Sequence, residues 1–256
     1  MRKIDTKKLF ELYQNTSKHS NYQILPSSLK EIISEDCLEI HSRFENERMD
    51  FLNNSIRFEN KRVMDIGGNT GFFSFEAVES GASEVVYVEG NTPHANFVEY
   101  GAELLNKNIL VKNKYLDFEN DLGIGNFDIV LLFNVIHHLG DDFGDQSISI
   151  DNAKEKMIDC INYFVGRTDL LVLQMGYCWK GDTSKLLFEN GTKREMISFV
   201  ESAAKGNWKI REIGIAEVSA DNTEYRSLSD ENMKRQDSIG EFRNRPIFIL
   251  EKISKV

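Results

Sequence analysis

From Arg62 onward the chain alternates short apolar runs with amphipathic stretches, and this alternation restricts its possible folds more than any other feature. The runs are Val63-Met64-Asp65-Ile66, Val85-Val86-Tyr87-Val88, Ile109-Leu110-Val111, Phe127–Phe133 and 170–173. Between them, residues 72–80, 94–106, 151–165 and 192–204 carry apolar side chains at helical spacing. Strands and helices in that order form an α/β fold, a mostly parallel sheet with crossover helices on its faces. Two late strands are predicted at 208–218 and 246–250. Joined without a long regular helix, they suit an antiparallel C-terminal edge. The polar, charged segment 219–245 reads either as an exposed loop or short helix covering a site, or as a plain surface insertion.

Residues 1–60 show helical periodicity without a strand: Leu9, Leu12 and Tyr13, then Leu29, Ile32 and Ile33, then Phe44, Met49, Phe51 and Leu52. Pro26-Ser27-Ser28 marks a helix start. The expected division is a helical lid or substrate cap over 1–60 and one α/β domain over 61–256. A chain of 256 residues, 41% hydrophobic, is long enough to bury one substantial core. Its net charge of -10 repels a polyanion over most of the surface, which argues against nucleic acid. Cys37, Cys160 and Cys178 are too few and too scattered for a disulfide framework or a four-ligand zinc site, so a reducing compartment is expected. The polar opening at residues 1–5 and the lack of a long apolar run lead to the expectation of a cytoplasmic chain without membrane insertion.

In an open α/β sheet, ligands sit beyond the carboxyl ends of the strands. The first strand ends in Asp65 and runs into Gly67-Gly68-Asn69-Thr70-Gly71. A dinucleotide turn needs spaced glycines facing a pyrophosphate; here Asn69 stands where a glycine belongs, and an acid in the turn repels phosphate. S-adenosyl-L-methionine has an ammonium and a sulfonium but no phosphate, so the acidic turn suits it better than NAD. Candidate contacts are Asp65, Gly67, Gly68, Asn69 and Gly71. At the end of the second strand, Glu89, followed by Gly90, can accept hydrogen bonds from both ribose hydroxyls. Past the third strand, Asp117 can accept one from an adenine amino group, or can be a solvated turn aspartate.

The fourth strand ends Phe133-Asn134-Val135-Ile136-His137-His138. A histidine there has an ordinary pKa of about 6.5, near operating pH, so His138 first and His137 second are candidate general bases; packing is the competing role for either. Asp141, Asp142 and Asp145 read as an acidic surface loop, and no metal is expected. After the fifth strand, Gln174-Met175-Gly176-Tyr177-Cys178-Trp179-Lys180 suggests an acceptor pocket of Tyr177, Trp179 and Lys180. Core packing is the alternative for the two aromatics.

The segments 63–71, 85–91, 115–118 and 127–139 together resemble the successive motifs of class I S-adenosylmethionine-dependent methyltransferases. The resemblance implies a Rossmann-like sheet and donor contacts at Asp65, Gly67, Gly71, Glu89, Asp117 and Asn134. Tyr22-Gln23 and His41-Ser42-Arg43 extend it to methyltransferases of bacterial surface-polysaccharide assembly, including the methyltransferase half of kinase–methyltransferases that cap O-antigen chains. That narrower likeness implies donor contacts at Tyr22, Gln23 and Arg43. It also implies O-methylation of a small acceptor, a sugar, phosphate or phosphate-like group, with S-adenosyl-L-homocysteine as product. Lys180, Lys193, Arg194, Arg235, Arg243 and Arg245 are candidate cations for such an anion. The rival readings are a tRNA-modifying methyl or alkyl transferase and a catalytically silent donor-binding subunit.

Overall fold

The computed structural model describes residues 6–14, 22–34, 38–120, 123–220 and 222–253. Residues 1–5 and Cys37, cited above, lie outside the described residues. The chain divides into two compact units, Met1–Tyr115 and Leu116–Val256.

The first unit runs α1 (Thr6–Tyr13), α2 (Ser27–Lys30), α3 (Glu45–Ser55), β1 (Arg62–Ile66), α4 (Phe72–Glu79), β2 (Glu84–Glu89), α5 (Thr92–Leu105) and β3 (Ile109–Asn113). Its strands lie in the order β3-β2-β1, all parallel. After their first residues β1 and β2 are buried throughout, which is why their sequences are continuous apolar runs rather than alternating ones. Helix α5 starts where the Asn91 side chain accepts the His94 N–H, with Pro93 in the first turn, and Asn106 ends it in the left-handed region at φ 52. The N-terminal helices share this unit's core. Leu9, Tyr13, Leu25 and Leu29 cluster with Phe75, Tyr87, Phe97 and Val98, and the Tyr13 and Phe97 rings meet edge to face at 5.4 Å. Burying each such side chain stabilises by roughly 1.5–3 kcal/mol, so the stripe Leu9–Tyr13 is held firmly against α5.

The second unit contains β4 (Phe127–Phe133), α6 (Ile150–Asn162), β5 (Thr168–Gln174), α7 (Lys193–Ala204), β6 (Trp208–Ser219), β7 (Asn222–Ser227) and β8 (Ile247–Lys252). Its strand order is β4-β5-β8-β6-β7. The first pair is parallel and the other three are antiparallel, the expected C-terminal edge. Helix α7 opens on a capping box in which Thr192 and Glu195 satisfy each other's backbone N–H groups.

The segment 219–245 departs from its expected irregular form. Residues Asn222–Ser227 form a strand that folds back on β6, because Thr223 and Tyr225 alternate inward with charged residues outward. The remainder contains two short 3-10 turns, Asp237–Ile239 and Phe242–Asn244. Among the described residues, no helix is long and apolar enough to cross a membrane.

Candidate functional site

Within the first unit, the carboxyl ends of β1 and β2 bring the acidic residues together. Asp65 is 1% exposed, and Ser74 Oγ donates to its Oδ2 at 2.7 Å. Burial pushes the Asp65 carboxyl up to about 7; the Ser74 bond lowers it, the Glu89 charge raises it and the Arg48 charge lowers it. A Cβ on Gly68 would sit 2.7 Å from Asp65 Oδ2 and 2.6 Å from the Tyr87 ring. Only glycine leaves the backbone and the carboxylate this close.

Glu89 is oriented by main chain. Its Oε2 accepts the Asn69 N–H at 3.0 Å and its Oε1 the Asn91 N–H at 2.8 Å. The Tyr87 hydroxyl donates to the Asn69 carbonyl, tying the turn to β2. Two backbone donors, one on each oxygen, fix the orientation of the Glu89 carboxylate.

Gln23 reaches this turn directly. Its Oε1 accepts from Thr70 Oγ1 at 3.3 Å and from the Phe72 N–H at 3.2 Å, while its carbonyl accepts the Tyr13 hydroxyl at 3.0 Å. Gln23 therefore anchors the start of α4. The Arg43 guanidinium lies 4.7 Å from the centre of the Tyr22 ring, so these two residues form a cation–π pair.

In the second unit, Asn134 ends β4 in the left-handed region at φ 60, a conformation asparagine tolerates better than most residues. Its side chain belongs to a closed hydrogen-bonded ring. Arg245 Nη1 donates to Asn134 Oδ1 at 2.8 Å, Asn134 Nδ2 to Gln174 Oε1 at 3.0 Å, and Gln174 Nε2 to the Arg245 carbonyl at 3.1 Å. Glu241 Oε1 takes the Arg245 Nε and Nη2 donors at 3.2 and 3.0 Å, and the Tyr177 N–H at 3.1 Å. The guanidinium can only donate, so this network assigns the Asn134 amide orientation.

The two histidines have different surroundings. His137 is 1% exposed, and its Nδ1 accepts the Gly176 N–H at 3.2 Å, which places any ring proton of the neutral form on Nε2. The lone pair that a base would use is engaged. The His138 ring is tilted 44° to it at 4.3 Å between centroids. His138 Nδ1 lies 3.4 Å from Asp142 Oδ2, its side chain 18% exposed. His138, Asp141 and Asp142 bring ligand-type atoms within 4.8 Å of one another, the one such group among the described residues.

The residues expected to line an acceptor pocket divide. Tyr177 is fully buried, with its hydroxyl donating to the Asn244 carbonyl at 2.7 Å. Trp179 Nε1 donates to the Leu139 carbonyl at 2.8 Å. Both contribute packing, while Lys180 lies over the Trp179 ring and its Nζ donates to the Gln146 carbonyl at 3.2 Å. Asp117 caps its own turn, accepting from the Glu119 and Asn120 N–H groups and from Asn120 Nδ2. Of the cations expected for an anion, several serve the protein instead. Lys193 is 2% exposed and donates to the carbonyls of Asn232 and Lys234; Arg243 donates to Ile239, and Arg235 pairs with Asp237. Long cationic side chains commonly bury their stems and cap carbonyls in this way. Ser74 and Glu241 carry no local signal in the sequence that points to these roles. Gln174 carries one, a polar residue closing a buried strand, as Asn134 directly follows one.

No family model matches the chain. Over 57 residues it is 39% identical to histone-arginine methyltransferase CARMER of Drosophila ananassae, a match covering 22% of this chain and 10% of that protein. Over 58 residues it is 40% identical to CARMER of Anopheles gambiae, covering 23% and 9%. The matched stretch is thus about a tenth of the length of these curated relatives. Among solved structures, the bifunctional kinase-methyltransferase WbdD aligns with a TM-score of 0.59 at 14% identity, over 95% of this chain and 46% of that one. Monomeric WbdD aligns at 0.57 and 15%, over 94% and 48%. At these identities the likeness is one of fold, and with the strand order and antiparallel edge described above the chain has the Rossmann-like class I methyltransferase fold.

Proposed function

We propose that this protein is an S-adenosyl-L-methionine-dependent methyltransferase that methylates an oxygen of a small polar acceptor. The acceptor is a sugar, phosphate or phosphate-like group of cytoplasmic bacterial surface-polysaccharide assembly, and residues 1–60 serve as a lid. The observation that carries the donor reading is the buried Asp65 carboxylate against Gly68, with Glu89 aimed by two backbone amides. A cationic ligand offsets the burial of Asp65, whereas a pyrophosphate adds repulsion to it.

Bound at this turn, S-adenosyl-L-methionine supplies a methyl group on a sulfonium, which departs as the neutral thioether S-adenosyl-L-homocysteine. Asp65 favours the donor's positive charge and Glu89 accepts its ribose hydroxyls. Gln23 holds the turn in shape, and Tyr22 with Arg43 serves the methionine end, Arg43 matching a carboxylate bidentately. The family resemblance separately implies donor contacts at Asp117 and Asn134. When the nucleophile is a hydroxyl, His138 takes its proton as the acceptor oxygen bonds to the methyl carbon. A phosphate oxygen needs no base. His137, its Nδ1 engaged by Gly176, holds the loop rather than a proton in transit.

Titration calorimetry with S-adenosyl-L-methionine, S-adenosyl-L-homocysteine and NAD tests the donor reading. The first two are expected to bind and NAD to fail; the reverse pattern overturns it. Labelled donor offered with nucleotide sugars, sugar phosphates and small phosphorylated metabolites then identifies the acceptor, and transfer to RNA alone would sink the polysaccharide reading.

A further inference from the structure

Two opposite charges are buried together at the start of α3. Glu45 is 0% exposed and Arg48 2%, and Arg48 Nη2 donates to Glu45 Oε1 at 3.4 Å. Removing two ions from water offsets much of their mutual attraction, so such a pair adds little net stability. What this carboxylate does, and an apolar side chain could not, is collect donors from the turn before it. Its Oε1 accepts the Arg43 N–H at 2.8 Å and its Oε2 the Ser42 hydroxyl at 2.7 Å. Ser42 Oγ in turn accepts the Phe44 N–H at 3.1 Å, and the Phe44 carbonyl accepts the Arg48 N–H at 3.1 Å and Arg48 Nε at 3.4 Å. Within this bracket Phe44 is held at φ 61 and ψ 46, left-handed backbone that a bulky residue rarely adopts. The Arg48 guanidinium also lies 4.7 Å from the centre of the Phe73 ring in α4, the helix that follows the glycine turn.

Strained backbone persists where its surroundings over-determine it, and here the strain falls on the residue next to Arg43. We propose that Glu45 is a positioning residue for Arg43: with Arg48 it fixes the turn from which the Arg43 guanidinium meets the carboxylate of the donor. The inference rests on the reading of Arg43 as the partner of that carboxylate. A guanidinium fork matches a carboxylate only over a narrow range of distance and orientation, and a long side chain on an unrestrained backbone loses that match to its own freedom. Glu45 anchors the Arg43 N–H, and the Tyr22 ring meets the guanidinium. Both ends of the side chain are thus set before the ligand arrives, which lowers the ordering that binding requires.

The test compares two ligands of the full chain by calorimetry, S-adenosyl-L-methionine and its decarboxylated form, which differ only in the carboxylate. The unmodified protein is expected to prefer the first about tenfold or more, and Arg43→Met to lose that preference. Glu45→Gln keeps the shape of the side chain but gives up its charge and one acceptor oxygen. It is expected to cut the preference to about threefold or less, with affinity for the decarboxylated ligand held within about twofold. In the Arg43→Met background the same substitution should leave the ratio unchanged. A merely structural role weakens both ligands alike. Should Glu45→Gln not fold, Ser42→Ala reads the same bracket and is expected to lower the preference about threefold. If the unmodified protein binds neither ligand, the donor reading fails and this inference fails with it. If it binds both without preference, or Arg43→Met keeps the preference, Arg43 is not the partner of the carboxylate and the inference falls while the donor reading stands. If Glu45→Gln, or Ser42→Ala in its place, keeps the full preference or weakens both ligands alike, the positioning role alone is overturned.

Discussion

The acidic turn of the first unit and the polar ring of the second place polar groups in a protein interior by opposite means. Around Asp65 and Glu89 the work is local and mostly done by backbone: Gly68 gives clearance, and the amides of Asn69 and Asn91 aim the Glu89 carboxylate. One charge, that of Asp65, is left poorly compensated. Around Asn134 the residues come from three stretches of chain, and each amide of the ring is satisfied by another member. A site that must receive a cation benefits from an unbalanced carboxylate. A site that must hold a loop in one shape benefits from closure, because a half-satisfied buried network is unstable.

Substitutions can break this contrast, and the largest effect is expected at Asp65. Asp65→Asn should reduce S-adenosyl-L-methionine affinity at least a hundredfold while stabilising the ligand-free protein at neutral pH. The sign follows from its raised carboxyl, about 7 against an ordinary 3.8. Between those values the folded protein keeps a proton that the unfolded chain has lost. The stability contribution is therefore complete below about pH 4 and lost as pH rises to about 7. The asparagine variant should lack that decline, with an advantage on the order of a few kcal/mol above pH 7, read as urea midpoints from pH 4 to 8. An equal pH dependence in both proteins would refute the unbalanced-carboxylate picture.

At Arg245 the order of effects should reverse. Arg245→Met leaves Asn134 Oδ1 without its donor and Glu241 without its guanidinium, and should cost roughly 2–4 kcal/mol of stability, with donor affinity changed far less than in Asp65→Asn. Calorimetry beside denaturant melts checks both quantities. Histidine variants come next: with a hydroxyl acceptor, His138→Ala should lower kcat about a hundredfold at little change in donor KM, while His137→Ala should mainly lower the melting temperature. Unchanged turnover in both variants would exclude general-base catalysis. Gln23→Ala should weaken donor binding about thirtyfold, since two hydrogen bonds to the turn are lost, each worth about 1 kcal/mol. The smallest effect is expected at Thr192→Ala, which removes the capping box of α7: about 1 kcal/mol, with donor affinity unchanged.

Much of the fold is legible in the chain because periodicity is local. The helix expected over 94–106 forms as Thr92–Leu105, and the apolar run 85–88 is the buried part of Glu84–Glu89. The strand Asn222–Ser227 is hidden in the sequence because its inward residues, Thr223 and Tyr225, are only two and lie among polar and charged ones, and the pairing with β6 supplies the order that composition conceals. In the candidate site, Asp65 and Glu89 were legible as acids at strand ends. The commitment of Tyr177 to the core was not, since an aromatic residue in a strand-end loop reads equally well as a pocket wall.

By itself, then, the sequence determined the succession of strands and helices, the glycine turn after Asp65 and the acid at position 89, features set by the period of the backbone and by residues a few positions apart. Only the tertiary structure decided which neighbours those residues have. It put the Tyr115 ring in the place of a side chain at Gly90, joined Arg245 to Asn134 across 111 positions and gave the lone pair of His137 to Gly176. Each depends on a distance between segments remote in the chain. Such distances are fixed by packing and hydrogen-bond closure, which no local pattern encodes.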